Sequence, residues 1–201
     1  MSLRVYGNRL LKTLPGQETR PTAAMVREAV FNIWQGRVAG CRWLDLCAGS
    51  GAMGAEALGR GAAIVVGVEQ SARACAVIRQ NWEKCACPEQ SFRVVKGDVL
   101  RVLKTLTGQP FDLIYFDPPY ASDLYEPTIT AIAQHHLLAI GGELAVEHHP
   151  QRQLPGYEAL QICRSKTYGN TALTFYRWGQ AAHPSIEIQE PAGEAQSTTE
   201  S

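Results

Sequence analysis

Asp117-Pro118-Pro119-Tyr120 places a carboxylate, two positions without an amide hydrogen and an aromatic ring in four consecutive residues. The run before it, Phe-Asp-Leu-Ile-Tyr-Phe over Phe111–Phe116, has the apolar character of a buried parallel strand. In open α/β sheets, ligands bind at the carboxyl edge of the strands, where this tetrapeptide would emerge. Proline fixes φ and blocks helix continuation, so the corner is stiff. Rigid acceptors beside a flat ring suit a planar, amine-bearing group such as a nucleobase. A plain tight turn is the other reading of the same four residues.

A second motif bears on the choice. Residues 41–44 read as a strand that feeds Asp45-Leu46-Cys47-Ala48-Gly49-Ser50-Gly51, with a helix over residues 52–60. Glycines at a helix start let a ligand approach the backbone and its amide hydrogens. Two ligand classes compete. Gly49-Ser50-Gly51-Ala52-Met53-Gly54 has the dinucleotide spelling, so spelling does not decide. Asp45 leans the other way, because a carboxylate repels pyrophosphate but attracts the ammonium and sulfonium of S-adenosylmethionine. The strand at 63–68 ends at Glu69, placed to accept from ribose hydroxyls, with Gln70 beside it. The strand at 92–96 leads to Gly97-Asp98-Val99, where a carboxylate would accept from an adenine amino group. Singly, each acid also fits a helix cap or first-turn charge. Four acidic strand ends in register (Asp45, Glu69, Asp98, Asp117) favour an adenosyl ligand.

With these motifs the chain resembles class I adenosylmethionine-dependent methyltransferases, and within them the RsmD family, guanine-N2 methyltransferases of bacterial small-subunit (16S) ribosomal RNA. The resemblance spans roughly residues 3–178. It rests also on Arg20-Pro21-Thr22, on Val26-Arg27-Glu28-Ala29-Val30-Phe31-Asn32 and on Tyr168-Gly169-Asn170-Thr171. Cys47 stands where the family usually has Phe, and Asn170 where Asp is expected. The resemblance implies S-adenosylmethionine held by Asp45, Cys47, Ala48, Gly49, Ser50, Gly51, Glu69, Gln70, Asp98 and Val99. It implies catalysis by Asp117, Pro118, Pro119 and Tyr120. Asp117 and the Pro118 carbonyl would accept hydrogen bonds from the target amine, and Tyr120 would stack on the flipped base. Arg20, Thr22, Arg27, Lys166 and Tyr168 are candidate RNA contacts. Adenine N6 and the glutamine side chain of a protein are alternative targets for such a corner. A non-enzymatic RNA-binding module would not need the acidic ligand set, and a dehydrogenase would want apolar contacts where this chain has Asp-Pro-Pro-Tyr.

Composition sets the surroundings. A chain of 201 residues with 45% hydrophobic content suits one globular domain. No apolar run approaches the ~20 residues of a membrane span, and charged residues interrupt any leader-like stretch at the start. Six scattered cysteines read as reduced thiols of a cytoplasmic protein. His135-His136 and His148-His149 are adjacent pairs that point apart, so no metal site is expected. Lys plus Arg equal Asp plus Glu at nineteen each, yet residues 181–201 hold four Glu and no Lys or Arg. That segment reads as a disordered acidic tail. Residues 1–42 hold seven Lys or Arg against two Glu, a basic stretch suited to phosphates.

The elements that must position these groups follow from periodicity. A hairpin is expected from strands at 3–6 and 10–14 around Gly7-Asn8. A helix then follows, capped by Thr22, with Val26, Ala29, Val30, Ile33 and Trp34 on its buried face. Further helices are expected at 71–84 (stripe Cys75, Ile78, Trp82), 99–106 and 126–138, and strands at 142–147, 159–163 and 172–178. Alternating βα units predict a Rossmann-like, doubly wound α/β sheet. The resemblance implies seven strands, mostly parallel with an antiparallel last strand. The expected division is a basic hairpin-and-helix extension at 1–36, a methyltransferase domain at 37–180 and the tail at 181–201. A monomer acting on an assembled or assembling small subunit is the expected working form.

Overall fold

The structure, a computed structural model, describes residues 3–14 and 21–180, with Pro21 and Thr22 described by backbone only. The expectations for Arg20, for capping by the Thr22 side chain and for the acidic tail lie outside the described residues. Strands β1 (Leu3–Val5) and β2 (Arg9–Leu11) form an antiparallel hairpin around a 3-10 turn at Tyr6–Asn8. Helix α1 covers Pro21–Ile33. Then follow β3 (Arg42–Leu46), α2 (Ala52–Gly59), β4 (Ile64–Glu69), α3 (Ala72–Glu83), β5 (Ser91–Lys96) and α4 (Val99–Thr105). The chain continues through β6 (Phe111–Phe116), α5 (Tyr125–Gln134), β7 (Leu138–His148), β8 (Leu160–Tyr168) and β9 (Thr171–Trp178).

The seven-stranded sheet has the order β5-β4-β3-β6-β7-β9-β8. Strands β5, β4, β3, β6 and β7 are parallel, and β9 runs antiparallel between β7 and β8. The expected mostly parallel sheet with an antiparallel last strand is therefore present. After β5 the chain returns past β3 to lay down β6, so the switch in strand order falls between β3 and β6. Ligands of doubly wound sheets bind at such switch points.

Two apolar layers sandwich the sheet. One packs the hairpin, α1, α2 and α3 onto Trp43, Leu113, Tyr115 and Phe175. The other packs α4 and α5 onto Leu44, Ile114, Phe116 and Val146. Alternate residues of β3 and β6 thus serve opposite layers, which is why both strands carry apolar residues on both faces. In α1, Val26 and Val30 are buried as expected, as is Trp34 just past its end, while Ala29 and Ile33 are only partly buried; Phe31 joins the buried set by stacking on Trp43 at 5.1 Å. In α3, Cys75, Ile78 and Trp82 are buried as expected.

Several boundaries differ from expectation, and the second hairpin strand ends at Leu11 rather than at 14. Helix α5 ends at Gln134, and β7 begins at Leu138 because Leu138 pairs with Phe111 before a register shift brings Glu143 against Leu113. Gly142 sits in that irregularity, where a Cβ would lie 2.9 Å from the carbonyl oxygens of Ala139 and Asp112. Strand β8 runs to Tyr168 rather than 163, since its outer residues are exposed and polar, as on many edge strands. Among the described residues, no helix is long and apolar enough to cross a membrane, and no cluster of His, Cys, Asp and Glu is placed to hold a metal.

Candidate active site

The glycine loop is shaped by Trp82. Its Nε1–H donates to the Gly51 carbonyl at 2.7 Å. A Cβ on Gly54 would lie 2.2 Å from the Trp82 ring, and one on Gly67 2.5 Å from it. Gly51 itself is left-handed (φ 74°) at the start of α2. The third glycine of the Gly-x-Gly-x-x-Gly spelling is thus explained by a buried indole. No pyrophosphate is needed, which removes the residue pattern that kept a dinucleotide in play.

Asn81, fully buried on α3, holds the loop from another side. Its Nδ2 donates to the Ser50 carbonyl at 2.9 Å and the Lys12 carbonyl at 3.0 Å, while its Oδ1 accepts from the Lys12 N–H at 2.9 Å. One side chain therefore ties the end of the hairpin to the loop. Glu56 on α2 makes a second tie. It accepts from the Tyr6 N–H at 2.9 Å, pairs with Arg60 at 2.8 Å and lies 3.6 Å from Arg27.

Asp45 is buried, and its Oδ2 accepts from the Gly54 N–H at 3.0 Å. Burial pushes its carboxyl up to about 8, opposed by the Gly54 hydrogen bond and reinforced by the charge of Glu69. Glu69 accepts from the Gly49 N–H at 3.0 Å and the Ser71 N–H at 2.8 Å, so it braces the loop and the start of α3 together. Asp98 caps α4 by accepting from the Arg101 N–H at 3.1 Å. Each of these acids performs the capping or bracing task while also lining the cavity.

The Asp-Pro-Pro-Tyr corner leaves β6 beside β3, with the Asp117 N–H donating to the Leu46 carbonyl at 3.4 Å. Arg152 secures it from outside, donating to the carbonyls of Tyr120 at 3.1 Å and Ser122 at 3.4 Å. The same guanidinium lies 4.3 Å over the Tyr125 ring. Tyr120 is fixed by its hydroxyl, which donates to Glu147 at 3.0 Å and meets the Thr171 hydroxyl at 2.8 Å. Tyr115 donates to the other oxygen of Glu147. Burial, then the charge of Glu147, holds the Asp117 carboxyl well above its ordinary range.

These groups surround one cavity of about 750 Å³, within the span of small-molecule sites. It brings together Asp45, Cys47, Ala48, Gly49 and Ser50 with Glu69, Gln70, Asp98 and Val99, and it also includes Asp117, Pro118, Pro119, Tyr120 and Arg27. Gly51 stands behind the wall, against Trp82. Lys166 is exposed on β8, and Tyr168 packs on the first apolar layer, so neither lines the cavity. Asn170 and Thr171, from the turn that follows them, do.

Glu147 is the residue the sequence reading missed, although the signal was available. It follows Leu144-Ala145-Val146 at the carboxyl end of an apolar strand, as Asp45 and Asp117 follow theirs. Cys47, left-handed at φ 61°, also lines the cavity, and burial beside these carboxylates pushes its thiol up to about 12. It is therefore a wall and not a nucleophile. Five carboxylates line the cavity against Arg27, the one cation among its described lining residues. Such a site suits a cationic ligand.

Comparison with known proteins bears on this geometry. A family model described as conserved hypothetical protein 95 matches residues 4–177. YlbH of Bacillus subtilis is 33% identical over 174 residues, covering 84% of this chain and 93% of that protein. Ribosomal RNA small subunit methyltransferase D of Escherichia coli K12 is 32% identical over 160 residues, 79% of each chain. The solved structure of yhhF from Escherichia coli superposes with a TM-score of 0.75 at 28% identity, covering 89% of this chain and 98% of that one. The chain belongs to the RsmD family of methyltransferases.

Proposed function

We propose that this protein transfers the methyl group of S-adenosylmethionine to the exocyclic N2 of a guanine in bacterial small-subunit (16S) ribosomal RNA, within an assembled or assembling subunit. Family membership supports an rRNA methyltransferase, since two relatives are named as ribosomal RNA small subunit methyltransferases. The observation that carries the finer reading is the stiff Asp117-Pro118-Pro119-Tyr120 corner on the wall of an acid-lined cavity at the sheet's switch point. A ligand with sulfonium and ammonium charges fits that cavity, whereas the negative pyrophosphate of a dinucleotide does not. Bound there, S-adenosylmethionine supplies an electrophilic methyl group.

The protein's own groups do the rest. Glu69 and Asp98 each keep a lone pair for ribose and adenine donors after their backbone contacts. Asp117 and the Pro118 carbonyl accept the two amine hydrogens of the target, which localises the nitrogen lone pair and aims it. Tyr120, its hydroxyl already pinned, offers a fixed ring on which the extruded base stacks. The extension at 1–36, with Arg20, Thr22 and Arg27, together with Lys166 and Tyr168, is assigned to RNA contact. Ribosomal proteins complete the docking surface, because so small a basic patch binds RNA weakly.

The test is transfer of labelled methyl groups to undermethylated small subunits, followed by nucleoside analysis, with Asp117→Ala in parallel. N2-methylguanosine that vanishes in the variant is the expected result. Label in adenosine moves the target to adenine N6, and label in protein moves it to a glutamine side chain. Protein-free RNA methylated as fast as the subunit would overturn the assembled-substrate reading.

A further inference from the structure

Glu147 and Asp117 end adjacent parallel strands. The register pairs Tyr115 with Ala145 and Phe116 with Val146, so Asp117 and Glu147 are the next residues in line on β6 and β7. They share the sheet face from which Tyr115 reaches Glu147. Two phenol hydroxyls, from Tyr115 and Tyr120, donate to the two oxygens of Glu147. Around the pair stand Asp45 from β3, Cys47 from the glycine loop, Tyr125 from α5 and Arg27 across the cavity. Among the described residues, no Lys, Arg or His lies within ion-pair distance of either carboxylate.

We propose that Asp117 and Glu147 act as one proton-sharing pair that takes up the proton released by the target amine as the donor's positive charge disappears. This rests on the methyltransfer reading above. As the N–C bond forms, the donor's C–S bond breaks with its electrons passing to sulfur, so the sulfonium becomes a neutral thioether. The nitrogen then sheds one proton. Before transfer the pair is doubly negative beside one sulfonium charge. Afterwards it holds one proton beside a neutral sulfur. The net charge of the buried site is the same on both sides of the reaction, so no uncompensated charge is created in a poorly solvated cavity. Burial lifts both carboxyl groups above their ordinary range, and the charge of Glu147 lifts Asp117 further, which makes the pair receptive once the sulfonium is gone. The two tyrosines, donating to Glu147, oppose the upward push of burial there, which directs the shared proton to Asp117, on the side of the amine.

The same charge logic governs binding without any RNA. A sulfonium entering the cavity expels the shared proton, and the thioether product does not. The affinity of S-adenosylmethionine relative to S-adenosylhomocysteine should therefore rise with pH, by up to about tenfold per pH unit across the range in which the pair gives up its proton. Titration calorimetry of both compounds against the full chain measures that ratio. Glu147→Gln removes the repulsion, lets the Asp117 carboxyl fall and flattens the dependence. Tyr115→Phe removes a donor from Glu147 and shifts the dependence to higher pH. A ratio independent of pH in the unaltered protein overturns the proposal, as does a Glu147→Gln variant that keeps the full dependence. Failure of both compounds to bind would instead refute the cofactor reading itself. A wrong target nucleoside would appear only in the methylation assay.

Discussion

Gly54→Ala tests whether the glycine loop is shaped by packing or by ligand approach. In isolation the change favours a helix by up to about 1 kcal/mol. Here the new methyl lands 2.2 Å from Cζ2 and 2.7 Å from Cε2 of Trp82. The ring has no room to retreat, because it is fully buried, touches the backbone at Gly67 and meets Phe92 edge-on at 5.8 Å. Overpacking of this kind costs about 1–3 kcal/mol. Displacing the indole also strains its hydrogen bond to the Gly51 carbonyl, and leaving that N–H unpaired costs a further ~1–3 kcal/mol. Set against the helix gain, the net loss is about 1–5 kcal/mol. For a chain of this size that lowers Tm by roughly 2–20 °C. Thermal and urea unfolding of ligand-free protein, followed by tryptophan fluorescence, measures it. The double variant Gly54→Ala/Trp82→Phe should recover part of the loss, giving a coupling energy above about 1 kcal/mol. A single variant as stable as the parent, or more stable, would refute the packing account and return Gly54 to the ligand.

Three further outcomes follow from the same contacts. Because the Asp45 carboxyl is raised to about 8, the folded state binds more protons than the unfolded chain between about pH 4 and 8, so that group's contribution to stability falls as pH rises through this window. Asp45→Asn still accepts from the Gly54 N–H; its Tm advantage over the parent should widen from pH 5 to pH 8, while S-adenosylmethionine affinity drops at least tenfold by calorimetry. Asn81→Ala strands the Ser50 carbonyl and both backbone groups of Lys12; we expect a loss of about 2–4 kcal/mol in urea unfolding and faster hydrogen exchange at both Lys12 and the glycine loop. Arg152→Ala frees the Tyr120 and Ser122 carbonyls on the outer side of the corner, so kcat should fall about tenfold while S-adenosylmethionine affinity, set by the opposite wall, stays within twofold.

The parallel half of the sheet is legible because buried strands and α3 carry clear patterns: Phe111–Phe116 is apolar but for Asp112, and Cys75, Ile78 and Trp82 keep helical spacing. Strand β8 was cut short because its polar, exposed residues pair only with β9, and pairing is invisible to hydropathy. The start of β7 was hidden by an irregularity that only the Phe111–Leu138 pairing reveals. In the site, Asp45 and Asp117 were found by their place after apolar strands. Glu147 satisfies the same rule, but His148-His149 follow it where two prolines follow Asp117 directly. Trp82 was recognised as core, but its grip on Gly51, Gly54 and Gly67 was not, since that contact joins residues distant in sequence. The loop glycines therefore looked like ligand signals when two of them answer to an indole.

The position of β9 has a consequence for the order in which the molecule is made. Strand β8 hydrogen-bonds to β9 and to no other strand of the sheet, and Thr171, the first residue of β9, supplies the hydroxyl that meets Tyr120. During synthesis, the half-sheet of β3 to β5 and the glycine loop emerge long before β9. The glycine-loop side of the cavity can thus assemble early, while the Tyr120 ring waits for the final strand to insert between β7 and β8. Loss of β9 would leave a chain with its glycine-loop side built and its Asp-Pro-Pro-Tyr side open, and on the proposed reading such a form would bind the methyl donor without directing it.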